Sequence, residues 1–388
     1  MKITTHLKNA TALRTVAGAF AFTALSTAGA MAQQAAPLGL PDEGYSLEAL
    51  IEAAKQEGPI TVVDATGKIV TMAENFAEKY GIQTIGVKLS GQDQEQILSR
   101  EAAANNVQHD VFNMSNLPSV TSDILPQGYG VSWFPQDLAG ETPENYQNPA
   151  ITSLNPWVWS YNTEVYTDGC PVDNMWALTD AEWQGKISIP DPLLRNETMF
   201  WFNQIETNND DQMRAAYEAH YGEPLVTEEA SATAEWVKRL AGNRPNVTRS
   251  DTDVGPIVGA RGQTEPHMGF VSAAIFRDAA QNDYAMGMCT GMKPWIGQLT
   301  PRVAVIASGT KSPNAAKLFV HYMMSAEGMG PQLIDGKLST NINAEMPADE
   351  ASGIANHLDE LHVTRSETAA QDFDRLQDWQ DFWTISAR

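Results

Sequence analysis

Between Leu47 and Val87 the apolar positions change period twice. Leu47, Leu50, Ile51 and Ala54 recur at helical spacing, and Gly58-Pro59 stops that run. Ile60 to Val63 then reads as a short apolar strand, followed by the polar turn Asp64-Ala65-Thr66-Gly67. A second helix is predicted from about Lys68, burying Ile69, Met72, Phe76 and Tyr80. It ends at Gly81, before a strand over Ile82 to Val87. A strand that runs into Thr66-Gly67 at a helix start leaves backbone N–H groups free, and these favour an anion. The same pattern also describes an ordinary strand–helix connection of an α/β domain.

The theme of strand, polar turn and helix repeats along the chain. Asp110 to Met114 predicts a strand ending in Ser115-Asn116, with Pro118 opening the next helix. Asn155 to Asn162 predicts an aromatic strand with Trp157, Trp159 and Tyr161 on one face. Lys186 to Ile189 leads into Asp191-Pro192 and a helix near Thr198, and Asn246 to Ser250 leads into Asp251-Thr252-Asp253. His267 to Val271 leads into Ser272, which is placed to cap the helix carrying Phe276 and Arg277. Val303 to Ala307 precedes a helix that buries Ala316, Phe319, Val320 and Met323. From Asp349 to Arg388 one or two amphipathic helices carry Leu376, Trp379, Phe382 and Trp383 on one side.

The first 32 residues read as an export signal. Lys2, Lys8 and Arg14 form a basic start, Val16 to Leu25 is apolar, and Ala30-Met31-Ala32 fits a cleavage site. No later stretch approaches the roughly 18 apolar residues of a membrane span. The formal charge of −23 on 388 residues becomes −26 on 356 without the leader, whose three cations have no acidic counterpart. So acidic a surface repels nucleic acid and anionic lipid, which excludes both as partners. An anionic ligand must then be held locally. Cys170 and Cys289 are the only cysteines; in an exported chain such a pair points to one disulfide, and neither has a His or second Cys at metal-ligand spacing. No nucleophile elbow, zinc motif, dinucleotide loop or redox pair occurs, and Thr66-Gly67-Lys68 lacks the rest of a P-loop. Of seven histidines only His357 and His362 come close, and five-residue spacing suits solvated or capping roles. No enzyme constellation is present.

Three segments carry a resemblance. They are E-A-A-K-Q-E-G-P-I-T-V-V-D from Glu52, P-W-V-W-S-Y-N-T-E-V-Y from Pro156, and A-V-I-A-S-G-T-K-S-P-N-A-A-K-L-F-V-H-Y-M-M-S-A-E-G from Ala304. Together they resemble the type 2 periplasmic solute-binding proteins of ABC importers, in the branch of ferric-iron, phosphoglycerate, hexose-phosphate, thiamine and polyamine binders. The resemblance implies an α/β fold of two lobes, each a mixed sheet flanked by helices, joined by two crossing strands, with ligand in the cleft between them. Lobe 1 would take residues 33–155 and 295–388, with the packing of 349–388 left open, and lobe 2 would take 156–294. Both cysteines then fall in lobe 2, which supports their pairing. The implied partners are a small-molecule ligand and an inner-membrane permease, or a sensor histidine kinase reading the same closed shape. The receptor would be a periplasmic monomer without a cofactor.

Ferric binders of this branch use adjacent tyrosines, and none of the ten here adjoins another. Asp64, Asp191 and Asp251 with Trp157 and Trp159 offer a possible cation site. The turns Thr66-Gly67, Ser115, Thr198, Ser250 and Ser272 instead place helix starts at the cleft, with Lys68 or Arg277 adding charge. The expectation is a phosphorylated or carboxylated anion, with a metal-ion binder as the alternative. Each hydroxyl taken alone is also an ordinary helix cap, and the two tryptophans serve equally as hinge packing.

Overall fold

The structure, a computed structural model, describes residues 38–388. The leader and its cleavage site lie outside the described residues. Helix Leu47–Ala54, strand Ile60–Asp64, helix Lys68–Tyr80 and strand Thr84–Lys88 follow the predicted order. Ser46 caps the first helix by accepting from the Ala49 N–H at 3.2 Å. Gly81, at φ 72°, ends the second in the left-handed conformation that a Cβ would disfavour.

Two parallel blocks are joined by two long antiparallel strands. In the first block Ile60–Asp64 lies parallel to Thr84–Lys88 on one side and Val111–Met114 on the other. In the second, Ile187–Pro190 lies parallel to Asn246–Thr248 and Met268–Ser272. Between them run Ile151–Asn162 and Gly297–Ala307, antiparallel to each other. Val303 to Ile306 pair with the first block, and Trp157 to Ser160 pair with the second. One curled sheet therefore passes through both blocks.

Each block has its own core. Leu50, Ile60, Phe76, Phe319 and Tyr322 fill one face of the first sheet, and Val63, Phe112, Met114 and Val303 the other. The second block is built on aromatics: Trp201 stacks on Phe270 at 5.2 Å and meets Trp236 edge-on at 6.2 Å. The Cys170–Cys289 disulfide lies here, with Cα atoms 5.0 Å apart.

The chain end spans both blocks. Helix Leu376–Ser386 packs on Asn196–Tyr221 and Ala232–Gly242, seating Trp379 and Trp383 against Phe202 at 5.8 and 6.1 Å. The short helix Ala369–Asp374 touches both Leu117–Ser119 of the first block and Asn196–Tyr221 of the second. Strand Leu361–Val363 runs parallel to Gly297–Leu299, a third strand beside the crossing pair. His362 is not solvated, as its spacing suggested. It is buried, with Nε2 at 3.1 Å from Asn209 Oδ1, and burial followed by the Arg365 charge lowers its pKa to about 4.

Candidate functional site

A cavity of about 230 Å³ opens between the blocks. Thr66 and Gly67 reach it from the first block, Asp251, Ser272 and Arg277 from the second, and Trp157 from a crossing strand. A second recess of about 430 Å³ adjoins it, sharing Lys88, Arg195, Asp251 and Thr252 and continuing past Ser250. Across this region the Gln92 amide N–H₂ donates to Asn196 Oδ1 at 3.1 Å, linking the two blocks.

Several expected groups arrive by a different local route. Thr66 Oγ1 accepts from the Lys68 N–H at 3.3 Å, so the hydroxyl is engaged in the turn itself. Ser272 does not cap a helix: Ala273 holds that position, and Ser272 Oγ donates to Asp251 Oδ2 at 2.5 Å. Ser250 begins helix Asp251–Gly259, its N–H and hydroxyl both donating to Asp253 Oδ2. Lys68 lies beside the cavity, 3.8 Å from Asp335.

Besides Lys68 and Ser250, which lie next to the cavity and in the recess, four expected residues do not reach it. Trp159 and Thr198 face the aromatic core with Trp201 and Phe202. Asp191 caps the turn Pro192–Leu194, accepting from the Leu193 N–H at 2.9 Å; this extra turn moves the helix start to Asn196 and carries Thr198 inward. Ser115 is buried and faces Gly91, where an added Cβ would stand 2.7 Å from its Oγ.

Gly67 lines the cavity at the start of helix Lys68–Tyr80. Its φ is −65°, an ordinary helical value, and an added Cβ meets no protein atom within 4 Å. No backbone reason for glycine exists here. Gly67→Ala is therefore expected to leave stability unchanged or raise it by about 0.4–1 kcal/mol through the unfolded chain. Urea unfolding checks this, and a clear loss of stability would show that the turn needs glycine.

The decisive features are the partners of the charges. Asp64 is fully buried and accepts from Asn113 at 2.8 Å and Gln332 at 3.1 Å. Asp251 is held by Ser272, and Asp278 by Arg277 at 2.7 Å. Asp335 pairs with Arg277 and, at 3.8 Å, with Lys68; burial nevertheless holds its pKa above the usual carboxylate range. Arg195 pairs with Glu197 at 3.1 Å and lies 5.0 Å over the Trp157 ring. Every cavity carboxylate is thus occupied within the protein.

Arg302 is not. It is 4% exposed, lines the cavity, and its Nε and Nη1 meet no hydrogen-bond partner among the described residues. Arg302 pairs with Ser153 on the crossing strand, and Leu338, next to Lys337, pairs with Leu154 from that strand's other edge. Lys337 is 2% exposed and spends one N–H on Gln332 Oε1 at 2.7 Å. Burial lowers its pKa to about 8, with Asp64 opposing and Arg302 adding to the shift. Five cations and three carboxylates line the cavity of a strongly acidic chain. Arg302, Lys337, Arg195 and Lys88 were missed in the sequence. The only signal was an arginine inside Thr300-Pro301-Arg302-Val303-Ala304-Val305, a run otherwise suited to a core.

No protein family and no characterised protein matches this sequence. Solved structures do match its fold. Iron-bound HitA from Pseudomonas aeruginosa aligns at TM-score 0.64 and 14% identity, over 85% of this chain and 100% of its own. AfuA from Actinobacillus pleuropneumoniae, a periplasmic binding protein with exogenous fructose-6-phosphate bound, aligns at 0.64 and 19%, over 84% and 99%. An ABC-transporter substrate-binding protein from Agrobacterium tumefaciens aligns at 0.65 and 14%, over 87% and 97%. The chain has the two-lobed α/β fold of the periplasmic binding proteins of ABC transporters.

Proposed function

We propose that this chain is the exported solute receptor of an ABC importer, holding a small organic anion between two lobes. The observation that carries the reading is Arg302, a buried guanidinium with two unpaired donors at the cavity wall. An uncompensated buried charge is costly, and a bound anion supplies the missing partner. A cation would find every lining carboxylate already engaged. Ligand contacts from both blocks favour the closed arrangement, and the hinge is the pair of crossing strands. The lobes are assigned as residues 33–155 with the return from 295, and 156–294; the final helix attaches to the second. The closed receptor would deliver its cargo to a permease in the inner membrane.

Lys337 provides the test. In the ligand-free protein it loses its proton near pH 8, and an adjacent anion raises that value. Between the two values binding takes up a proton, so affinity falls as pH rises through about 8, by up to tenfold per pH unit. The stability of the ligand-free protein moves oppositely. Above pH 8 the unfolded lysine holds more protons than the folded one, so this group adds stability toward its ordinary range. Native mass spectrometry of gently purified protein identifies the bound species, and calorimetry at pH 7 and 9 measures the trend. A ligand that binds more tightly at pH 9 does not rest on the protonated Lys337 and rejects the reading.

A further inference from the structure

We infer that the cargo is a phosphate monoester with a hydroxylated body, its phosphoryl group on Arg302 and Lys337 and its body in the adjoining recess. This rests on the anion-receptor reading and narrows it to one chemical class and one orientation.

The head follows from counting donors. Arg302 offers its Nε–H and Nη1–H₂ groups without partners, and Lys337 retains two N–H after its bond to Gln332. These cationic donors flank one strand at Ser153 to Asn155, on the wall of a single cavity. Of the three other lining cations, Arg277 is committed to Asp278 and Asp335 and Arg195 to Glu197, while Lys88 stands farther along, where the cavity meets the recess. Asp64 reaches Lys337 only through the Gln332 amide, so it eases the ammonium without covering it. A carboxylate brings one charge and two oxygens to this pair. A phosphoryl group brings about −1.5 to −2 and three acceptor oxygens, which suits two adjacent cations better. The backbone turn Thr66-Gly67 stands on the same cavity, with open space at Gly67 for close approach.

The body follows from the second recess. It is nearly twice the size of the first cavity, shares Arg195 and Thr252 with it, and continues to Ser90, Gln92 and Arg249. A bare inorganic ion leaves that space to water. Hydroxyl, amide, carboxylate and guanidinium groups line it beside Ala65 and Leu194, a mixture with enough donors and acceptors to hold a polyol. Arg249 makes no salt bridge among the described residues and is free to bond such a body.

Calorimetry with inorganic phosphate, glycerol 3-phosphate, a pentose 5-phosphate, a hexose 6-phosphate and a four-carbon dicarboxylate tests the inference. At least one ester is expected to bind tenfold or more tightly than inorganic phosphate. Arg249→Ala should weaken that ester about three- to tenfold and leave inorganic phosphate unchanged. Inorganic phosphate binding as tightly as every ester overturns the inference. So does a dicarboxylate that outbinds all phosphoryl compounds while still requiring Arg302, a result that leaves the anion reading standing. Exclusive binding of a cation rejects both.

Discussion

Arg302→Met is expected to weaken ligand binding by roughly two to three orders of magnitude while raising the melting temperature of the ligand-free protein. The two effects share a cause. With ligand bound, the guanidinium makes at least two charge-assisted hydrogen bonds, each contributing about 1.5–3 kcal/mol, and methionine makes neither. Without ligand, Nε and Nη1 are buried and unpaired, and a thioether of similar reach removes that penalty. A gain of about 1–3 kcal/mol corresponds to a rise of several degrees in a protein of this size. Removing the charge also lifts one of the influences holding Lys337 low. Calorimetry with the native ligand and scanning calorimetry of the empty protein measure both quantities. Unchanged affinity removes Arg302 from the site, and a lower melting point shows that its stem packing outweighs the unpaired donors.

The second large effect is on stability. Replacing Cys170 and Cys289 by alanine is expected to destabilise the protein by about 2–5 kcal/mol. The bridge spans 119 residues of sequence, so its loss releases a large loop in the unfolded chain. Native contacts suffer as well. Cys289 is completely buried, and its N–H donates to the Trp159 carbonyl at 2.9 Å, so the bridge fixes the segment following Asn162 to a crossing strand. Denaturant unfolding of the double variant measures the loss, and reduced wild-type protein should fall to a similar midpoint. Equal midpoints for the oxidised protein and the variant would mean that the aromatic core alone determines the stability of the second block.

Much of the fold could be read from the sequence because the elements carry local signals. Leu47 to Val87 alternates helical and strand periods between glycine and proline stops, and each parallel strand is a short apolar run ahead of a polar turn. The site was less legible. Thr66, Ser272 and Asp251 were found because they stand at strand ends, where such folds place open turns. Thr198 was expected on the same logic and Trp159 as a ring beside Trp157, yet the added turn at Pro192–Leu194 carries Thr198 into the core, and Trp159, two residues further into the second block, packs there against Phe270. Lys337 gives no local sign, since its place depends on a two-residue strand, Leu338–Ser339, joining Leu154 and Ser153 from far along the chain. Arg302 was visible as a charge in an apolar run, but only the three-dimensional pairing shows that no carboxylate meets it.

Arg302 and Lys337 both belong to strands paired with Ile151–Asn162, the element that runs through both blocks. In the proposed receptor the two cations would therefore sit at the pivot and not on the jaws. A pivot would keep its local geometry while the blocks swing about it, so the proposed closure would leave these two cations in place. The order of events follows from this. In the proposed receptor the anionic end of a ligand would be captured first, on these two cations. The rest of the molecule would then be tested for fit by closure, of which the Gln92–Asn196 hydrogen bond between the blocks is a mark. On that reading a wrong body on a correct head would be rejected at closure, before delivery to a permease.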